Sequence, residues 1–425
     1  MSTKLGLEPK LLPDKLLQDI RSKFAYVEEC PHAGKRIFLD TASGSLRLKA
    51  LMEVAQRELF LPDNFARPTK GSAHAYEVKE KGEDDVRLFL GAKSGTIMPC
   101  KTSTEGMFRV VRDAVRQFPG TNVVTTVLDH PCTFDSTRLA AETSGKEWRV
   151  APLDRETGFI KTEAILNLID KNTSLLAFIH GSNITGALMD AKEIVREARK
   201  IKEDLCIIVD GVQYAPHAPV DVEDIGADVY LFGCYKAYTR RGMAFAHLSD
   251  RFSVIPHERL YGKKANEWAL GSADQFDYAA WSIVVEYICW LGSHYTPSKD
   301  RREQLTAGLR AMEAHELALL ERVMSGTKKQ IGFRGMPHVR TYGLPDDITS
   351  RSCLVAFSVD GVNTGEAVGR YIDHGIMLTD RKMDAYSKHM LDALGAAGII
   401  RMSAAHYTTP AEIDEFLRLT ESMLP

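Results

Sequence analysis

The chain is expected to fold as an α/β protein, with a large domain on a mainly parallel sheet and a smaller α+β domain. Two observations predict this. Between about residues 122 and 247, short apolar runs alternate with stretches of helical periodicity, the pattern of strands joined by helical crossovers. After about residue 250 the alternation stops and long helical stretches take over. A length of 425 residues exceeds one ordinary domain and suffices for two. The division is expected at residues 37–295 for the large domain, with 1–36 and 296–425 forming the small one.

The runs at 122–127 (NVVTTV), 148–151, 174–179 (SLLAFI), 205–209 (LCIIV), 229–232 (VYLF) and 243–247 (MAFAH) are each predicted as strands. Helices are predicted near 132–143, 161–170 and 191–202, and an opening helix is predicted after TSTEG at 102–106. Such a sheet carries helices on both faces and binds ligands beyond the carboxyl ends of its strands. Residues 276–291 and 301–324 are predicted as long helices. The tail adds strands at 352–359 and 400–403 and helices at 366–374 and 410–423, and the N-terminal segment is expected to pack with it.

Composition narrows the function classes. A formal net charge of −3 leaves no basic footprint for nucleic acid and no polybasic membrane patch. The N-terminal run lacks the apolar core of a signal peptide, and no apolar stretch is long enough to span a bilayer. Seven scattered cysteines without a CxxC pair predict neither a disulfide framework nor a zinc site, so no metal is expected and a cytoplasmic location is the default.

Three positions that each follow a predicted strand carry the chemistry. Asp210 ends LCIIVD, Lys236 follows VYLF in GCYKAYTRRG, and His130 follows NVVTTV in LDHPCTFD. A carboxylate, an amine and an imidazole thereby meet at one sheet edge. Pyridoxal 5'-phosphate (PLP) chemistry calls for these types: an amine to hold the cofactor as a Schiff base and move substrate protons, a carboxylate to keep the pyridine nitrogen protonated, and a flat ring to stack on the pyridine. Singly, each has a plain alternative: a helix cap for Asp210, a solvated surface amine for Lys236, a structural imidazole for His130.

The run VDGVQYAPHAPVDVEDIGADVYLFGCYKAY resembles the cofactor segment of the class V aminotransferases, a family that includes cysteine desulfurases, selenocysteine lyases, kynureninases and isopenicillin N epimerases. The resemblance covers nearly the whole chain from about Arg36. It implies a seven-stranded PLP-transferase fold (fold type I), with PLP on Lys236 and Asp210 and His130 as further catalytic residues. It also implies a phosphate cradle at Ser103 and Thr104, where a helix N-terminus favours a dianion. Asn183 in HGSNITG and Gln213 would bind the cofactor's phenolic oxygen. Ser272, after Gly271, would reach the phosphate of a neighbouring subunit, which implies a homodimer with shared active sites. Arg401 in IIRMSAAHY would grip the substrate α-carboxylate. The small-residue stretch LDTASGSL, with Ala42, would line the substrate pocket. The implied partner is a small-molecule amino acid, with no nucleic acid and no membrane.

The family pattern breaks in places. Residues 379–389 (TDRKMDAYSKH), expected as the loop that bears the desulfurase nucleophile, contain no cysteine; Arg381 and Lys382 stand there, facing either substrate or solvent. Gly233 and Tyr235 replace the serine and histidine that often precede the lysine. Arg240 and Arg241 follow it, to bind a second acidic group or to pair structurally. The implied function is a PLP-dependent lyase of the C–S or other β-elimination type. An aminotransferase or an amino-acid epimerase is the alternative, with Tyr235, His74 or Tyr76 as the second acid an epimerase needs. A non-catalytic binding protein on the same fold is a further reading, against which the intact Lys236, Asp210 and His130 argue. No GxGxxG follows the first strand, which argues against a dinucleotide-binding protein.

Overall fold

The structure, a computed structural model, describes residues 7–343 and 347–423; the first six residues of the N-terminal segment lie outside the described residues. The segment opens with helix α1 (Asp14–Lys23), and a polar helix α2 (Lys70–Leu90) follows. Seven strands then build the main sheet: β1 (Thr96–Cys100), β2 (Asn122–Thr126), β3 (Glu147–Ala151), β4 (Thr173–Ile179), β5 (Cys206–Asp210), β6 (Val229–Gly233) and β7 (Ala244–Leu248). Their order is β1-β7-β6-β5-β4-β2-β3. All neighbours are parallel except β7, which runs antiparallel to both β1 and β6.

Strands β4 to β6 are buried throughout because helices cover both faces. The side chains alternate accordingly. Leu176, Phe178, Ile207, Val209, Tyr230 and Phe232 enter one core, and Leu175, Ala177, Cys206, Ile208, Val229 and Leu231 enter the other. The second face is covered by α3 (Ser103–Gln117) and α4 (Pro131–Ser144). The first is covered by α2, by α5 (Ala191–Ile201) and by α6 (Gln275–Gly292), with the start of α7 (Arg301–Ser325). The helix expected over 161–170 is confined to Thr162–Leu166, since turns take over where Asp170 caps the approach to β4.

A second, fully antiparallel sheet follows, of β8 (Val339–Tyr342), β9 (Leu354–Val359), β10 (Thr379–Lys382) and β11 (Gly398–Ser403) in the order β8-β9-β11-β10. Helices α8 (Thr364–Asp373), α9 (Lys388–Leu394) and α10 (Pro410–Glu421) accompany it. The expected loop at 379–389 is corrected here: its first four residues are β10, held by pairing with β11 from Thr379↔Arg401 to Lys382↔Gly398.

The N-terminal segment contacts both units. Lys10 and Leu12 bind α7, Arg21 reaches Tyr407 and Glu412, and Ile37–Phe38 pairs with Ile376–Met377. The buried residues of α1 nonetheless join the core of the main sheet. Among the described residues, no helix is long and apolar enough to cross a membrane.

Candidate active site

A cavity that opens to solvent, with about 740 Å³ of space including its mouth, lies beyond the carboxyl ends of β2, β4, β5 and β6. It collects Ser103, Thr104, His130, Asn183, Asp210, Gln213 and Lys236 from five separate places in the sequence.

Lys236 ends the short turn Cys234–Lys236 after β6 and is only 5 % exposed. Its Nζ donates to Gln213 Oε1 at 2.8 Å. Burial, and then the charge of Arg401, push the amine down to about 7, so that near neutral pH much of it is an uncharged nucleophile. Asp210, the last residue of β5, is buried as well. Its Oδ1 accepts from the Val212 N–H at 3.0 Å, and its Oδ2 from Thr133 Oγ1 at 3.1 Å and Cys132 Sγ at 3.4 Å. Burial raises its pKa, while these donors and Lys236 oppose the rise.

His130 is the N-cap of α4, and its Nδ1 accepts from the Cys132 N–H at 3.1 Å. Burial, followed by the charge of Lys236, lowers its pKa to about 3. The ring is therefore neutral with its proton on Nε2. Asp129, its neighbour in the chain, does not line the cavity. It ties β2 to β4 by accepting from Thr125, Thr126 and Ile179.

The phosphate end of the expected cofactor has a matching seat. Thr102 caps α3, and Ser103 and Thr104 begin it, so its unsatisfied N–H groups open on the cavity. Ser103 Oγ and Asn183 Oδ1 are buried without a hydrogen-bond partner among the described residues. Buried polar atoms are seldom left so, and here both border the one cavity. These residues fit PLP.

Arg401, on β11, is wholly buried. Its guanidinium donates to the Asn183 carbonyl at 2.9 Å and to Asp40 at 2.9 Å, and it also bonds Ser43. Its Nε is unpaired. The turn Thr41–Ser43 thus meets Arg401, and Ala42 is buried there with its N–H bound to Ser403.

Tyr235 and Arg241 line the cavity, with the Arg241 guanidinium 4.7 Å from the Tyr235 ring centre. Arg240 turns the other way and pairs with Asp277, so of the two arginines only Arg241 faces the cavity. Lys382 pairs with Asp380 at the surface. His74 pairs with Glu58, and Tyr76 is exposed; neither lines the cavity. Ser272 is exposed and lines a separate pocket.

Sequence reasoning missed Thr133, Cys132 and Asp40, which hold Asp210 and Arg401 in place. Thr133 falls one turn after His130, the spacing that aims it at the neighbouring strand end. Asp40 carried no such signal.

The family model for class V aminotransferases matches residues 37–275, more than half of the chain. The chain belongs to that family. The class V aminotransferase described here is 26 % identical to the aminotransferase-like protein FGM3 of Gibberella zeae, over 96 % of this chain and 98 % of that one. It is 24 % identical to a cysteine desulfurase of Pectobacterium carotovorum, over 94 % and 96 %. In fold it is similar to the apo cysteine desulfurase of Thermococcus onnurineus, with a TM-score of 0.79, 21 % identity and coverage of 96 % and 98 %. As a class V aminotransferase it is a PLP-dependent enzyme.

Proposed function

We propose that the enzyme is a lyase that removes a β-substituent from an amino acid, cleaving a C–S or similar bond. The observation that carries this reading is the pairing of a buried, near-neutral Lys236 with a buried, hydrogen-bonded Asp210 in one cavity. Bound PLP supplies an electron sink conjugated to the substrate α-carbon. Lys236 would hold the cofactor, and its amine would move the proton at that carbon. Asp210, to which the Val212 N–H and the Thr133 hydroxyl donate, would hold a proton on the pyridine nitrogen. His130 would lie against the cofactor ring. Asn183 and Gln213 would bind the phenolic oxygen, Ser103 and Thr104 the phosphate, and Arg401 the α-carboxylate, with Ala42 against the substrate. Relatives named cysteine desulfurase support C–S chemistry. The absence of a cysteine from 379–389 favours elimination without transfer of sulfur to a thiol on that segment.

A second reading, epimerase or aminotransferase, is favoured by Tyr235, a proton donor at the cavity wall next to Lys236. We further propose a homodimer in which Ser272 completes the phosphate site of the partner.

Purified protein supplied with PLP should show a visible absorption band that Lys236→Ala removes or shifts. Amino acids with a β-leaving group should then give a keto acid and the free leaving group without an amino acceptor. Keto acid formed only when an acceptor is present would overturn the lyase reading in favour of an aminotransferase, and loss of optical activity alone would favour an epimerase.

A further inference from the structure

Cations outnumber the anions around the cavity. Lys101, Lys236 and Arg241 line it, and Arg401 binds the backbone of the lining residue Asn183. A fifth, Arg381, which does not itself line the cavity, projects from β10, the strand that pairs with the β11 strand bearing Arg401. Arg381 lies close enough that its charge acts on Lys236, His130 and Arg401. Its Nε is buried with no hydrogen-bond partner, and Arg381 forms no ion pair among the described residues. The neighbouring Asp380 is occupied by Lys382.

The nearby carboxylates are already committed. Asp40 pairs with Arg401. Asp210 is held by Val212 and Thr133, facing Lys236 across the cavity. The cofactor phosphate has its own seat at the start of α3. Arg381 is partly exposed, but a buried guanidinium N–H left without an acceptor is costly, and a ligand anion beside it would supply one. The substrate α-carboxylate would satisfy one arginine, which leaves another without a counter-ion.

We infer that the substrate carries a second oxyanion on its side chain, held by Arg381 while Arg401 holds the α-carboxylate. The inference rests on the amino-acid reading proposed above, and it names an acidic amino acid as the substrate class. Guanidinium donors suit a carboxylate or a sulfonate equally, since both present two oxygens to the planar fork.

The test begins with ligands that have no amine and so bind without reaction. Titration of the PLP-loaded enzyme with succinate or butyrate compares two carboxylates with one on chains of equal length. Perturbation of the visible band and the melting temperature report binding. Succinate should bind about tenfold or more tightly than butyrate, the effect of one charged hydrogen-bonded contact. Arg381→Gln should remove that preference, and Lys382→Gln should keep it. Equal binding of the two acids by the unmodified enzyme, a comparison that needs no variant, would overturn the proposal. So would an Arg381→Gln enzyme that loses both acids equally.

In a second arm, aspartate, cysteate and asparagine are added to the unmodified enzyme. Stronger perturbation by aspartate assigns a carboxylate and by cysteate a sulfonate; asparagine acting as well as both would sink the inference. If succinate is preferred but no amino acid disturbs the band, the anion subsite stands and the amino-acid reading falls.

Discussion

Lys236 shows what a reactive residue costs the fold that holds it. Its ordinary pKa of 10.5 falls to about 7 because the apolar interior disfavours the cation. Below pH 7 the folded protein buries the charge. Between pH 7 and 10.5 the unfolded chain still holds a proton that the folded one has released, so this residue's contribution to stability rises with pH through that window. Lys236→Met should therefore stabilise the cofactor-free protein by about 0.5–2 kcal/mol near pH 7. The advantage should shrink toward pH 10.5, which denaturant melts of both proteins across that range would show. Gly233 makes a second case. A Cβ built there would lie 2.6 Å from Ser103 Oγ, so the serine found at that place in relatives has no room beside this Ser103. Gly233→Ser should push Ser103 aside and weaken PLP retention about tenfold, roughly the loss of one charged hydrogen bond, as measured by equilibrium dialysis.

Among the elements, α6 and α7 cross at unusually short range. A Cβ on Gly308 would stand 2.3 Å from the Ile288 carbonyl, and one on Gly292 1.7 Å from the Gln304 carbonyl. Both obstacles are backbone, which cannot rotate away. Gly308→Ala should cost about 1–3 kcal/mol in a urea melt, with little effect on the spectrum of bound PLP. What the sequence revealed follows the same logic of burial. Strands β2 and β4 to β6 were legible because both faces are buried, so they appear as continuous apolar runs. Strand β10 was not legible: Thr-Asp-Arg-Lys has no apolar face, and only pairing with β11 makes it a strand. The site residues at strand ends were legible because topology alone sends them to one edge. The partners Asp40, Thr133 and Cys132 were not, since their roles depend on side-chain contacts made across long stretches of chain.

On the scale of the whole molecule, one face carries exposed apolar side chains. Leu59 and Leu61 are exposed, and Phe60 is 79 % exposed, on a loop whose carbonyls bind Gln275 at the start of α6. Leu270, two residues before Ser272, is exposed nearby in the chain. If that face meets a second copy, Phe60→Glu should convert a dimer to a monomer in light scattering and reduce PLP affinity, because Ser272 lies outside its own chain's cavity. A monomeric parent enzyme would refute this.

Helix α7 joins the two halves in another sense. Over 25 residues, about 38 Å, it gives Leu305, Leu309 and Met312 to the core of the large sheet. It then gives Leu317, Leu319, Leu320, Val323 and Met324 to the core of the second sheet. The two hydrophobic centres share one rigid rod. Splitting the gene anywhere within that rod would strip a wall from both, so complementary fragments divided there should stay insoluble apart and recover only when expressed together.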